Sequence, residues 1–312
     1  MIVAIILLII GFVLLYYGAE FLVSGSSKLA RGLGISPMVI GLTIVALGTS
    51  LPEAFVSLVA VFKGNSSICL SNIIGSNIAN IGLILGCSAL LAPLKVDRKL
   101  VSKELPIMLG ATLLFLLFCW DNKIARWEGI VLFCLFLGFN YFILKTSNKL
   151  TDEKDNPPEK NNTFICSLKI IGGFVLLTFG ASVLVDNAVF IAGYFGMPTW
   201  IIGLTIIALG TSLPELATSI TSAIKKEAEI SMGNVIGSNI FNILFVVGLS
   251  AIISPLHLDG TATGSFTDLI IMTLFSLLLI PLIKSRYILA RWEGLILLTG
   301  YILFVVFTII RH

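Results

Sequence analysis

Apolar residues dominate ten stretches of the chain, at about 2–23, 36–62, 69–92, 105–120, 127–145, 165–192, 198–224, 231–255, 267–283 and 292–310. A helix needs about 20 mostly apolar residues to cross the hydrocarbon core of a bilayer, so the pattern predicts ten spans. Polar residues are confined mainly to the connections. The longest of these, 146–164, carries Asp155, Asn156, Pro157 and Pro158 and reads as a linker between five spans and five spans. The expected fold is an all-α polytopic membrane protein. The first run is expected to be a span and not a signal peptide, because no basic residue precedes it and the first lysine is Lys28.

Composition narrows the class. Of 312 residues, 57% are apolar and 12% charged, and mean hydropathy is +1.05. Soluble domains carry about 25% charged residues, so too few remain here to coat a water-facing surface. Disordered, secreted disulfide-rich and nucleic-acid-binding classes are excluded, the last because a net charge of +3 is too small to imply a polyanionic partner. Cys69, Cys87, Cys119, Cys134 and Cys166 form no C-x-x-C pair and read as buried apolar residues. With only His257 and His312, a histidine-built zinc or iron site is not expected. If the N-terminus faces outward, 16 of the 20 lysines and arginines fall in inside connections. This bias predicts both termini outside, the 146–164 loop in the cytoplasm, and a multi-pass protein of the cytoplasmic membrane.

The two halves repeat one another. Gly11–Leu15 recurs as Gly173–Leu177, 162 residues later. Gly41–Glu53 recurs as Gly203–Glu215 with one change, Val45 to Ile207. Ile74–Ile78 recurs as Ile236–Ile240, and Arg126–Gly129 recurs as Arg291–Gly294. Each repeat, 1–145 and 165–312, holds five spans. An odd number forces the second copy to cross the membrane upside down relative to the first. Inverted repeats are typical of secondary transporters, whose sites lie at the midplane where discontinuous helices meet. The best-matched stretches, 41–80 and 203–242, are therefore the site candidates.

Their chemistry is that of hard oxygen donors. Glu53 and Glu215 are the carboxylates set deepest within apolar runs, where a charge normally faces a cavity or partner. Pro52 and Pro214 lack the N–H that a continuous helix requires, so backbone carbonyls near them, at Ala46, Thr49, Ala208 and Thr211, are expected to turn toward a site. Thr49 shares a helix face with Glu53, and Ala46 with Ser50. Ser76 and Asn80 share another face, with Ser238 and Asn242 as their twins. For Asn72, Gly75 and Asn77, helix packing and ligation fit equally well. Carboxylates, hydroxyls and amide oxygens without thiolate or imidazole suit Ca²⁺, Na⁺, Mg²⁺ or Mn²⁺.

The paired G-T-S-L-P-E of Gly48–Glu53 and Gly210–Glu215, each followed by G-S-N-I, resembles the α-repeats of the calcium/cation antiporter superfamily and is similar to prokaryotic sodium/calcium exchangers. The resemblance covers nearly the whole chain. It implies Na⁺/Ca²⁺ exchange by alternating access, with no cofactor, no enzymatic step and no obligate protein partner beyond the lipid bilayer. It also implies a Ca²⁺ site on Glu53 and Glu215 with the Thr49 and Thr211 carbonyls. Na⁺ sites would add the Ala46 and Ala208 carbonyls and the hydroxyls of Ser50, Ser212, Ser76 and Ser238. Asn80 and Asn242 complete the cluster. The first and sixth spans would slide across the bundle. Some relatives carry Asp where this chain has Asn242, and potassium-dependent relatives place an acid in this region, so K⁺ co-transport is disfavoured. The proton-coupled branch has an Asn-containing motif in place of T-S-L-P-E. Proton-coupled Ca²⁺ exchange is thus the first alternative, and a Ca²⁺-permeable channel the second.

Overall fold

In a computed structural model, residues 1–147, 162–197, 208–258, 265–284 and 286–311 are described. Helix α1 spans Ile2–Leu33. The second apolar run forms α2 (Pro37–Thr49) and α3 (Leu51–Phe62), whose axes differ by 45°. Then follow α4 (Ser66–Leu91), α5 (Leu100–Asp121) and α6 (Arg126–Ser147). The second half holds α7 (Thr163–Tyr194), α8 (Ala208–Thr211), α9 (Leu213–Ile224), α10 (Ala228–Ile253), α11 (Phe266–Lys284) and α12 (Arg291–Ile310). Among the described residues, eight helices are long and apolar enough to cross a membrane, and the bent α2–α3 pair is a ninth. The expected span at 198–224 is described only from Ala208, and most of the expected 146–164 linker lies outside the described residues.

Helix α1 runs ten residues beyond its apolar stretch. Gly25, Ser26, Ser27, Leu29 and Ala30 are buried there, so packing and not hydropathy sets its end. Gly34 in the left-handed region (φ 66°) terminates it, its N–H reaching back to the Ala30 and Arg31 carbonyls. At about 1.5 Å per residue, the 32 residues of α1 and of α7 are longer than the hydrocarbon core is thick, so each helix extends beyond it or tilts within it.

Burial orders the bundle. About 78% of the apolar window of α4 and of α10 is buried, against 22% for α6 and for α12. The central pair is therefore α4 and α10. A main core surrounds it, and a second apolar core joins α1 and α7 to Ile40, Val45 and Ile230. Along α1 and α7 the backbones touch. A Cβ on Gly18 would lie 2.8 Å from the Leu177 nitrogen, and one on Gly173 would lie 2.8 Å from the Leu22 nitrogen. Small residues are what permit such approach in membranes.

The halves are interlocked by exchanged contacts. Strand β1 (Leu94–Lys95) pairs antiparallel with β4 (Ile288–Leu289), and β2 (Lys123–Ile124) pairs with β3 (Leu256–His257). Gly129 of α6 packs on Gly248 of α10, while its twin Gly294 of α12 packs on Gly86 of α4. Each half thus lays its last helix on the central helix of the other, as a two-fold relation between inverted copies requires.

Candidate ion-binding site

The helix breaks build the site. Helix α2 stops at Thr49 and α3 starts at Leu51, with Ser50 between them at φ −85°, ψ 6°. The second half does the same, with Ser212 at φ −87°, ψ 5° between α8 and α9. Pro52 and Pro214 occupy the first turn of the new helix, where a missing N–H costs nothing. The prolines therefore begin a helix after a break; they do not kink a continuous one. Glu53 and Glu215 lie in that same first turn, so the partial positive end of a helix faces each carboxylate in the protein interior.

Both carboxylates are about 1% exposed. The Ser50 hydroxyl donates to Glu215 Oε1 at 2.9 Å, and the Ser212 hydroxyl donates to Glu53 Oε1 at 3.2 Å. Each break thus contributes its serine to the acid of the opposite half. The second oxygen of each carboxylate, Oε2, is buried without a hydrogen-bond partner among the described residues.

Two amides lie within widened π-helical turns at Asn80–Leu85 and Phe241–Val247, and these turns pack against α9 and α3, the helices that carry the acids. Asn80 Nδ2 donates to Asn239 Oδ1 at 3.0 Å, and Asn242 Nδ2 donates to Asn77 Oδ1 at 3.1 Å. With the nitrogens so held, the Oδ1 atoms of Asn80 and Asn242 are buried and unpartnered among the described residues. So are the hydroxyls of Ser76 and Ser238. Buried polar atoms are nearly always satisfied, so these unpartnered oxygens, which recur in both halves, are candidates for holding a ligand that accepts lone pairs.

The surroundings of the other candidates differ. The Thr49 hydroxyl lies 3.1 Å from the Val45 carbonyl and 3.0 Å from Asn234 Oδ1. The Ala46 carbonyl accepts the Ser50 N–H at 3.0 Å and lies 3.4 Å from the Thr49 hydroxyl. Thr211 Oγ1 is buried without a partner among the described residues. Ala208 opens α8, and its side chain, like residues 203–207 of the second repeated stretch, lies outside the described residues.

Asn72 resolves toward packing. Its amide donates to the Glu53 carbonyl at 3.2 Å and to Ser57 Oγ at 3.0 Å; its twin Asn234 reaches the Glu215 carbonyl at 3.4 Å and Ser219 Oγ at 3.0 Å. These amides brace the helices that carry the acids. Asn77 and Asn239 likewise act as braces, as acceptors for the site amides. Ser57 and Ser219 were not apparent from the motifs, although they too recur at the 162-residue interval.

Comparison with known proteins follows this geometry. The family model described as "Sodium/calcium exchanger protein" matches residues 3–145 and 167–310. The chain belongs to the sodium/calcium exchanger protein family. It is 41% identical over 311 residues to the putative antiporter CaxA of Alkalimonas amylolytica, covering 97% of each chain. It is 32% identical over 314 residues to the sodium/calcium exchanger MaX1 of Methanosarcina acetivorans, covering 88% of this chain and 89% of that one. A solved structure of the sodium-calcium exchanger NCX_Mj superposes with a TM-score of 0.85 at 33% identity, covering 97% of both chains. This exchanger is accordingly a multi-pass membrane transporter and not an enzyme, and the resemblance carried by its G-T-S-L-P-E pair is borne out.

Proposed function

We propose that this exchanger moves Ca²⁺ against Na⁺ through one site built on Glu53 and Glu215. The observation that carries the proposal is the reciprocal pair Ser50–Glu215 and Ser212–Glu53; unpartnered oxygens of Asn80, Asn242, Ser76 and Ser238 on α4 and α10, which pack against the acid-bearing helices, support it. Two carboxylates balance one Ca²⁺ or two Na⁺. A third Na⁺ would leave the loaded site positive and make transport sensitive to membrane potential. Ca²⁺ accepts six to eight oxygens in flexible geometry, which suits donors drawn from four broken or widened helices. The carbonyls of Ala46, Thr49, Ala208 and Thr211 are the proposed backbone ligands.

The proposed setting is a cytoplasmic membrane, with both termini outside and the 146–164 connection inside. Alternation is assigned to α1 and α7, which form their own apolar core beside the main bundle. In proteoliposomes, Na⁺-driven ⁴⁵Ca²⁺ uptake should vanish in Glu53→Gln and in Glu215→Gln. Uptake at the unmodified rate in both variants would overturn the site. Imposing a pH gradient without Na⁺ should drive no uptake; uptake under that condition would assign the coupling to protons.

A further inference from the structure

A groove of about 350 Å³ opens between α5 and α6 on the outer face of the bundle, floored by Ala111, Phe139 and Leu244. Gly110 and Gly138 lie on its walls, and a Cβ on either would meet nothing within 4 Å. The surrounding surface is apolar and exposed, with Leu113, Leu117 and Leu137 turned outward, so the groove faces hydrocarbon.

The inverted repeat shows why the groove exists. Matching buried Met108 and Phe115 of α5 with buried Met272 and Leu279 of α11 sets Ala111 opposite Phe275 and Gly110 opposite Leu274. Matching Gly129 with Gly294 sets Gly138 opposite Leu303. In the second half the Phe275 ring fills the slot, so that a Cβ on Gly82 would lie 2.9 Å from it and one on Gly300 3.2 Å from it. The first half carries alanine in place of that phenylalanine. Leu244 and Leu135, the counterparts of Gly82 and Gly300, fill only part of the volume.

The same half supplies charge at one end of the groove. Lys103 Nζ stands 6.0 Å from the centre of the Phe142 ring, which itself lines the groove. Lys145 follows Phe142 by one turn, with Nζ 5.9 Å from the Tyr141 ring. Neither lysine forms a salt bridge with a described residue. The neighbouring Glu104 is buried and does not line the groove. In the second half these lysines are replaced by Thr267 and Ile310.

We infer that the α5–α6 groove binds one anionic phospholipid, an acyl chain lying along Gly110, Ala111 and Gly138 and the phosphate held by Lys103 and Lys145. A basic pair above an apolar slot between spanning helices is the arrangement that anionic headgroups recognise. By the lysine and arginine bias, this end lies in the inner leaflet.

Native mass spectrometry of the purified protein, titrated with phosphatidylglycerol or phosphatidylcholine, tests this directly and does not depend on transport. One phosphatidylglycerol should be retained in preference to phosphatidylcholine. Lys103→Gln and Lys145→Gln should each reduce that preference about fivefold. Ala111→Phe, which installs the residue of the other half, should abolish retention of both lipids while leaving the lipid-free melting temperature unchanged or higher. Gly138→Leu provides the same test if Ala111→Phe fails to fold. Equal retention of the two lipids by the unmodified protein, or undiminished retention in the filled variants, would overturn the inference. So would a dimer that the filled variants split, since a second copy would then be the occupant.

Discussion

At the residue scale, the proposed site rests on a reciprocal loan. Neither acid is hydrogen-bonded by the serine of its own break; each is held by the serine of the other half. A hydrogen bond to a charged group contributes about 1.5–3 kcal/mol, and removing the donor leaves the acceptor's desolvation uncompensated. Ser50→Ala and Ser212→Ala should therefore shift the half-saturating Na⁺ and Ca²⁺ concentrations by about tenfold, in the same direction and by similar factors, as flux assays would show. A large effect from one serine and none from the other would contradict a shared centre. The acids and these serines were legible in the sequence because the motif occurs twice with identical neighbours. The distinction between proposed ligand and brace was not. Asn72 and Asn80 are both asparagines in repeated stretches, and only the partner on the next helix separates them, Ser57 for one and Asn239 for the other.

At the element scale, hydropathy located the spans because the bilayer imposes length and apolarity on them. It could not see where packing extends a helix beyond the apolar run, as at Ser24–Leu33 of α1. Nor could it see the widened turns at Asn80–Leu85 and Phe241–Val247, which lie within ordinary apolar sequence. The two-residue strands escaped for another reason: their pairing joins opposite halves, and nothing local encodes it. Adjacent glycines of α7 separate packing from propensity. Gly173 has backbone of α1 where its Cβ would be, whereas a Cβ on Gly172 would meet nothing within 4 Å. Overpacking of this kind costs about 1–3 kcal/mol. Gly173→Val should lower the melting temperature in detergent and slow exchange, while Gly172→Val should leave both near the parent values. Equal tolerance of the two would argue that α1 and α7 are not in backbone contact.

At the scale of the whole molecule, the two-fold relation is broken by charge. One end of α1 is fastened to the α9–α10 turn. Glu20 pairs with Lys225, Arg31 Nη2 and Ser27 Oγ donate to Glu227 Oε1 at 2.7 and 2.6 Å, and Ser36 Oγ donates to Glu229 Oε2 at 2.7 Å. At the opposite end the matching positions are Ser182, Lys63, Gly193, Val189, Asn65 and Ser67, which cannot reproduce those ion pairs. Under the alternating-access reading proposed above, this fastening would hold the state in which this end is closed. Partly exposed pairs contribute about 1 kcal/mol or less each, so Glu227→Gln should shift the balance between access states by a few-fold without disturbing the fold. The shift should appear as a change in apparent Ca²⁺ affinity measured from one face of oriented vesicles, opposite in sign to the change at the other. Identical changes at both faces would show an effect on the site itself.

The exchanged packing of α6 on α10 and of α12 on α4 also bears on how the chain is made. Translation delivers α4 to the membrane long before α12, yet Gly86 is shaped to receive Gly294, and Gly248 to receive Gly129. Until the last helix arrives, the central helix of the first half lacks the protein neighbour that it packs against in the folded chain. The halves resemble duplicated domains in sequence, but in assembly they are two parts of one closure, and the final twenty residues of α12 complete a surface laid down some two hundred residues earlier.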